Sequence, residues 1–196
     1  MTCAALATLL YAPNDEKSAV LADFAARRRA EGVAVDGVVI ETLWRDAGIK
    51  RGLQLRALGS NTTTPLTQPY SDGIVVGRWH LLPQGVAAMT AVVEKAVSDR
   101  AGLLVVDKFG PLEGRGLGMA PALRQALASD IPMVVAVRQE FGPAWRAFVT
   151  EAAPSRLRSL REMPTDAGAL DRWWSEHSRA TGDQRASVTS RSSVRP

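Results

Sequence analysis

The sequence contains one cysteine, Cys3, and two histidines, His80 and His177. A single thiol cannot close an internal disulfide, so nothing points to an oxidising compartment. Three scattered ligands also fail to make a cluster at metal-binding spacing, so they form a poor metal site. Aromatic residues are few, at 6%, and none interleaves Arg179, Arg185, Arg191 and Arg195. A surface for single-stranded nucleic acid would need such stacking platforms, so nucleic acid is not expected as a partner. Long apolar runs are missing too. Cys3 to Leu10 is too short to span a bilayer and has no basic residue before it, which fits neither a membrane span nor a secretory signal. The expectation is a soluble, cytoplasmic protein.

What is present is ordinary globular material: 46% hydrophobic and 22% charged residues in a length of 196, enough for one domain with a proper core. The net charge of +4 resides mostly in the last stretch, where four arginines face only Asp183. That stretch is rich in Ser, Thr and Arg, and residues 177–196 are expected to be a disordered, solvated basic tail behind a single domain at 1–176.

Ala4 to Leu10 is a continuous apolar run of strand length, as in a strand buried on both faces. Pro13, Asn14 and Asp15 break it. Val20, Leu21, Phe24 and Ala25 then recur at helical spacing, and Gly32 supplies a stop before the β-branched run Val33 to Ile40. Strand, turn, helix and strand make a βαβ unit. Leu53 to Leu58 alternates, Gly59-Ser60-Asn61 marks a turn, and Thr62 to Thr67 favours extended chain, which predicts a β-hairpin insertion at about 50–70. Gly73 to Leu81 reads as a strand and Pro83 to Val97 as a helix. Leu103 to Val106 reads as a buried strand ending at Asp107. Helices are expected at Leu117–Ala128, Pro143–Ala152 and Asp166–Glu176, and strands at Pro132–Val137 and Leu157–Leu160. The predicted fold class is a three-layer α/β domain of the P-loop type with a mostly parallel central sheet.

A P-loop, G-x-x-x-x-G-K-[ST], lets backbone amides close around phosphate at a helix start, with the lysine neutralising charge and the hydroxyl helping to hold magnesium. At the expected place the chain reads Tyr11-Ala12-Pro13-Asn14-Asp15-Glu16-Lys17-Ser18. Lys17 and Ser18 are in register, whereas both glycine positions are filled, by Tyr11 and Glu16. Such a Lys-Ser pair is also ordinary helix-start chemistry. Leu103-Leu104-Val105-Val106-Asp107 has the form of a Walker B strand, whose aspartate supports magnesium. The next residue is Lys108 where an acid often helps activate water. Alone, Asp107 reads equally as a turn cap at a strand end.

Order along the chain adds to these motifs. Leu103 to Glu113, with Lys50-Arg51-Gly52-Leu53, Val76-Gly77-Arg78-Trp79 and Ser129-Asp130-Ile131-Pro132-Met133-Val134, resembles the thermophilic and cancer-related nucleoside-triphosphatase family over residues 4–140. Tyr11-Ala12-Pro13, Lys108-Phe109-Gly110, Glu113-Gly114-Arg115-Gly116-Leu117 and Trp145-Arg146-Ala147-Phe148 resemble a divergent bacterial branch of that family found mainly beside molybdenum-uptake genes. The resemblance implies the P-loop-like fold and a link to molybdenum; it implies no particular activity.

Where the chain departs from the pattern, function changes. Losing the glycines removes close backbone approach to phosphate, and Lys108 removes a water activator. Groups of this kind are each worth about 10²–10⁴ in rate. The leading expectation is therefore an accessory protein that binds a nucleotide or an oxyanion such as molybdate, with little or no hydrolysis. Lys17, Ser18, Lys108, Arg115 and Arg138 are the candidate anion ligands, since loops at the carboxyl edge of such a sheet carry the binding groups. Surface salt bridging is the competing reading of Arg115 and Arg138. Asp107 and Glu113 are the Walker B-like acids, and Asp107 with Ser18 would hold magnesium if ATP or GTP binds. Glu113 reads either as a ligand or as the anchor of the Gly-rich turn. The rivals are a slow magnesium-dependent nucleoside-triphosphatase and a module, with a vestigial pocket, that recruits a molybdenum-related protein partner.

Overall fold

The computed structural model describes residues 4–45, 49–67, 74–76 and 79–192. Cys3, Gly73, Gly77, Arg78 and Arg195 lie outside the described residues. The elements run β1 (Leu6–Tyr11), α1 (Lys17–Ala30), β2 (Val35–Arg45), β3 (Ile49–Ala57), β4 (Thr63–Pro65), β5 (Ile74–Val76), β6 (Trp79–Leu81), α2 (Pro83–Ser98), β7 (Leu103–Phe109), α3 (Ala120–Ala128), β8 (Met133–Arg138), α4 (Gly142–Ala152), β9 (Leu160–Pro164) and α5 (Ala167–Ser192). The main sheet has the order β4-β3-β2-β7-β8-β1-β9. From β2 to β9 every pairing is parallel, while β3 and β4 join antiparallel. The α/β class with a mostly parallel sheet is what the residue pattern predicts.

Burial on both faces explains the apolar strands. Residues of alternate parity on β1, β7 and β8 face opposite layers. Leu6, Leu104, Val106, Met133, Val135 and Val137 pack with α2, α3 and α4. Ala7, Leu9, Leu103, Val105, Val134 and Ala136 pack with α1 and α5. Trp145 of α4 is wholly buried, lies 5.1 Å from the Phe109 ring, and donates from Nε1 to Thr8 Oγ1 at 2.8 Å. That bond satisfies the Thr8 hydroxyl inside β1. No helix among the described residues is long and apolar enough to cross a membrane.

Several boundaries move. β3 and β4 form the expected hairpin, but β3 also pairs with β2 along its length. The hairpin therefore extends the main sheet, and β2 runs on to Arg45 to meet it. The strand expected at 73–81 is instead an antiparallel pair, β5 with β6. The strand expected at Leu157–Leu160 is displaced: Pro154–Arg158 is a 3-10 turn, and β9 begins at Leu160. The turn forms because Arg156 is drawn inward. Its guanidinium donates to the carbonyls of Leu127, Ala4, Ser129 and Ile131 at the amino-terminal edge of the sheet. α5 continues beyond the expected end at 176 to Ser192; no proline interrupts that stretch, and its alanines, arginines and Gln184 support helix.

Candidate functional site

Strand alternation fixes where the candidate residues meet. Leu103 and Val105 face α1, so Asp107 does as well; by the same count so do Tyr11 at the end of β1 and Arg138 at the end of β8. β8 lies between β7 and β1, and Tyr11 stands opposite Arg138. Three side chains thus project on one face at the carboxyl edge of three adjacent strands, beneath the first turn of α1. This edge is where open α/β sheets hold ligands.

Lys17 Nζ pairs with Asp107 Oδ1 at 2.5 Å, and the aspartate is wholly buried. Ser18 Oγ lies 2.8 Å from Asp107 Oδ2 and 2.7 Å from the Ile40 carbonyl, while the Ile40 amide donates to Oδ2 at 3.1 Å. Lys17 Nζ also donates to Ser18 Oγ at 3.0 Å. The single hydroxyl proton of Ser18 can reach only one of its two acceptors. Lys17, Ser18 and Asp107 are therefore brought together as their motif spacing predicts, across 90 residues of sequence.

The start of α1 is open electrostatically. Glu16 occupies the cap without bonding an amide through its side chain, no acid stands in the first turn, and Arg27, Arg28 and Arg29 occupy the last. The arginines complement the negative end of the helix dipole, while its positive end has no acid in the first turn to offset it. Asp15 is exposed and turned to the loop, accepting from the Ala12 amide at 2.7 Å and the Thr165 hydroxyl at 3.0 Å.

Lys108 occupies a register shift. Asp107 pairs with Ala136 and Phe109 with Val137, leaving Lys108 as the extra residue. A bulge re-aims a side chain that regular alternation would send into a packed layer. The Lys108 ammonium makes no ion pair among the described residues. Burial, followed by repulsion from Lys17, pushes it below the ordinary lysine range; Asp107 pulls it partly back, and Arg138 adds to the repulsion. Arg138 Nη1 is 3.3 Å from Glu140, so the salt-bridge reading holds for it even as its charge reaches Lys108.

The other two candidates part company with this cluster. Glu113 is buried and uses both carboxylate oxygens on backbone amides, Oε2 on Gly110 at 3.1 Å and Oε1 on Met119 at 3.2 Å. Burial raises its pKa, and those amides, together with its own, offset part of the rise. It anchors the Gly-rich turn. Arg115 is exposed on that turn, and no hydrogen bond or ion pair joins it to Lys17, Ser18 or Asp107 among the described residues.

Tyr11, treated in the sequence as a misplaced glycine, is the residue that motif reasoning missed. Its side chain is 5% exposed, the Lys17 ammonium lies 5.1 Å from its ring centroid, and its hydroxyl has no hydrogen-bond partner among the described residues. Burial, then the Asp107 charge, raises the phenol far above its ordinary range. Strand parity with Asp107 and Arg138 was the available signal.

A family model described as Protein of unknown function (DUF2478) matches residues 6–173. The chain belongs to that family. The match covers every strand of the main sheet and every residue of the cluster just described. A curated relative, the molybdenum import ATP-binding protein ModC 2 of Bradyrhizobium diazoefficiens, is 28% identical over 173 residues, covering 88% of this chain and 18% of the relative. The chain thus spans less than a fifth of that protein. The solution structure of a human cancer-related nucleoside triphosphatase superposes with a TM-score of 0.59 at 20% identity, over 83% of this chain and 88% of that one. This DUF2478 chain therefore has a P-loop NTPase-like fold, and function has to be argued from its own site.

Among the described residues no group of three or more His, Cys, Asp or Glu side chains could hold a metal. Ser18 and Asp107 supply two adjacent oxygen donors, a set that fits magnesium only where phosphate and water complete the shell.

Proposed function

We propose that this DUF2478 protein is an accessory nucleotide- or oxyanion-binding protein, linked to molybdenum metabolism or transport, with little or no hydrolysis of its own. The observation that carries the reading is Lys108. A half-buried ammonium with no ion pair among the described residues, repelled by Lys17 and Arg138, is costly unless an anion joins it. The open start of α1 lies at the same edge and favours the same charge. Lys17, Lys108 and Arg138 would hold the anion, and Ser18 with Asp107 would hold magnesium when the anion is a nucleotide. Magnesium would then supply charge neutralisation at the phosphates. No acid follows Asp107, and Glu113 is committed to the turn, so neither is available to activate water. The relative named as a molybdenum import ATP-binding protein supports both the nucleotide and the molybdenum parts of the reading.

A second reading, a slow magnesium-dependent nucleoside-triphosphatase, is favoured by the close approach of Lys17, Ser18 and Asp107. One experiment separates them. Melting temperature is measured with ATP or GTP, each with and without magnesium, and with phosphate, sulfate and molybdate, alongside nucleotide turnover. A ligand at a hundred times its Kd adds about 2.7 kcal/mol of stability. The expected result is a stabilising ligand whose effect weakens in Lys108→Ala, with turnover no higher than in a Lys17→Ala control. Turnover that vanishes in Lys17→Ala and Asp107→Ala establishes the second reading. If no ligand shifts the wild type, the anion site is vestigial and the surface becomes the place to look for function.

A further inference from the structure

We infer that the Tyr11 hydroxyl is a ligand-binding donor, contributing to a tetrahedral oxyanion the hydrogen bond that a glycine-rich turn would otherwise give through its backbone. The inference rests on the oxyanion reading of the same cluster and assigns it a specificity residue.

The argument is one of accounting. A buried hydroxyl without a partner has given up its hydration for nothing, so buried hydroxyls are seldom left unpaired. The charged groups that act on Tyr11 (Asp107, Arg138 and Glu140) each have a partner of their own. Asp107 takes Lys17 on one oxygen, and the Ile40 amide and Ser18 on the other. Arg138 pairs with Glu140. The ring belongs to the same buried apolar layer as Leu9, Leu21 and Met163 and has Lys17 above it. This hydroxyl, with Lys17 over its ring and Arg138 opposite it in register, has no acceptor among the described residues, and an anion drawn to Lys17, Lys108 and Arg138 would supply one. The phenol remains protonated throughout the neutral range, because burial and Asp107 both oppose its ionisation. It therefore donates. An incoming oxyanion also competes with Asp107 for the Lys17 ammonium, whose side chain remains 13% exposed.

The shared chemistry is a tetrahedral group with charged oxygens, either a free oxyanion or the terminal phosphate of a nucleotide. Tyr11→Phe removes the hydroxyl and keeps the ring. Wild type and variant are titrated in separate arms with inorganic phosphate, sulfate, molybdate and magnesium-ATP, reading melting temperature. Without ligand, Tyr11→Phe is expected to melt at or above the wild-type temperature, since an unpaired buried group has been deleted. With ligand it should need about tenfold to a hundredfold more to reach the same shift, the worth of a hydrogen bond to a charged acceptor. Loss confined to the free-anion arms identifies a free oxyanion, and loss confined to the ATP arm identifies a nucleotide phosphate. A wild type that responds to none of the four overturns both the function proposed above and this inference. A wild-type response retained in full by Tyr11→Phe overturns the inference alone. So does a marked loss of stability in unliganded Tyr11→Phe, which would mean that the hydroxyl has a partner within the fold. As a second readout, anion binding should perturb the tyrosine ultraviolet absorption in wild type and in Tyr70→Phe, and not in Tyr11→Phe.

Discussion

Lys108 sets the electrostatics of the site as a cation with no ion pair among the described residues. Its pKa is lowered in the native state, whereas an unfolded lysine titrates at about 10.4. Between those two values the unfolded chain binds more protons than the native one, so stability rises with pH across that window. Below it the full penalty of a charged, half-buried ammonium is present. Lys108→Met is therefore expected to melt higher than wild type at neutral pH, with a flatter dependence on pH toward 10, read from melting curves at a series of pH values. Anion affinity should run the opposite way, declining as pH rises and Lys108 loses its proton. Lys17 and Asp107 were legible in the sequence because motif register and order along the chain both pointed to them. The aim of Lys108 was not, because a bulge shifts the parity by one and leaves no mark in residue type. Tyr11 was hidden by its own motif: compared with glycine it is only a defect, and its hydroxyl acquires meaning only once its neighbours are seen to be engaged.

At the scale of elements, the turn between β7 and α3 shows how one carboxylate orders a loop. Glu113 accepts from the amides of Gly110 and Met119, while Gly116 and Gly118 adopt positive φ of 77° and 59°. A Cβ at Gly118 would stand 2.6 Å from Glu113 Oε1. Glu113→Ala leaves two buried amides without acceptors, at about 1–3 kcal/mol each, and Gly118→Ala adds a steric conflict to a left-handed backbone worth about 1–2 kcal/mol. Both losses are measurable as shifts in the denaturant midpoint, and hydrogen exchange at Gly110 and Met119 should accelerate in the Glu113 variant. Sequence spacing left Glu113 open between ligand and anchor because either role places an acid before glycines. The Gly-Arg-Gly-Leu-Gly run carried the answer, since glycines at 116 and 118 are what a carboxylate-bound turn demands.

Across the whole molecule, the two faces of the sheet are closed by different means. α2, α3 and α4 share one apolar layer. On the other face α5 joins α1 through Leu170, Trp173 and Trp174 and through Asp171, which takes Arg27 at 3.2 Å and Arg28 at 3.4 Å. Trp173→Ala should cost about 3–5 kcal/mol. Deletion of residues 180–196 should change stability by no more than about 0.5 kcal/mol, because that segment offers few apolar side chains to bury; paired denaturation curves test both. The parallel core was readable because strands buried on both faces are continuous apolar runs. The sheet's extension through β2, β3 and β4 was not, because a hairpin and a sheet edge share one local pattern and differ only in what the hairpin docks against. The placement of β1 has a further consequence, for biosynthesis. Among the described residues it pairs with β8 and β9 alone, which lie more than 120 residues downstream. At about 5–20 residues per second that interval is roughly 6–25 s. Throughout it the ribosome presents Leu6 to Leu10 as a bare hydrophobic ribbon, a natural client for a nascent-chain chaperone.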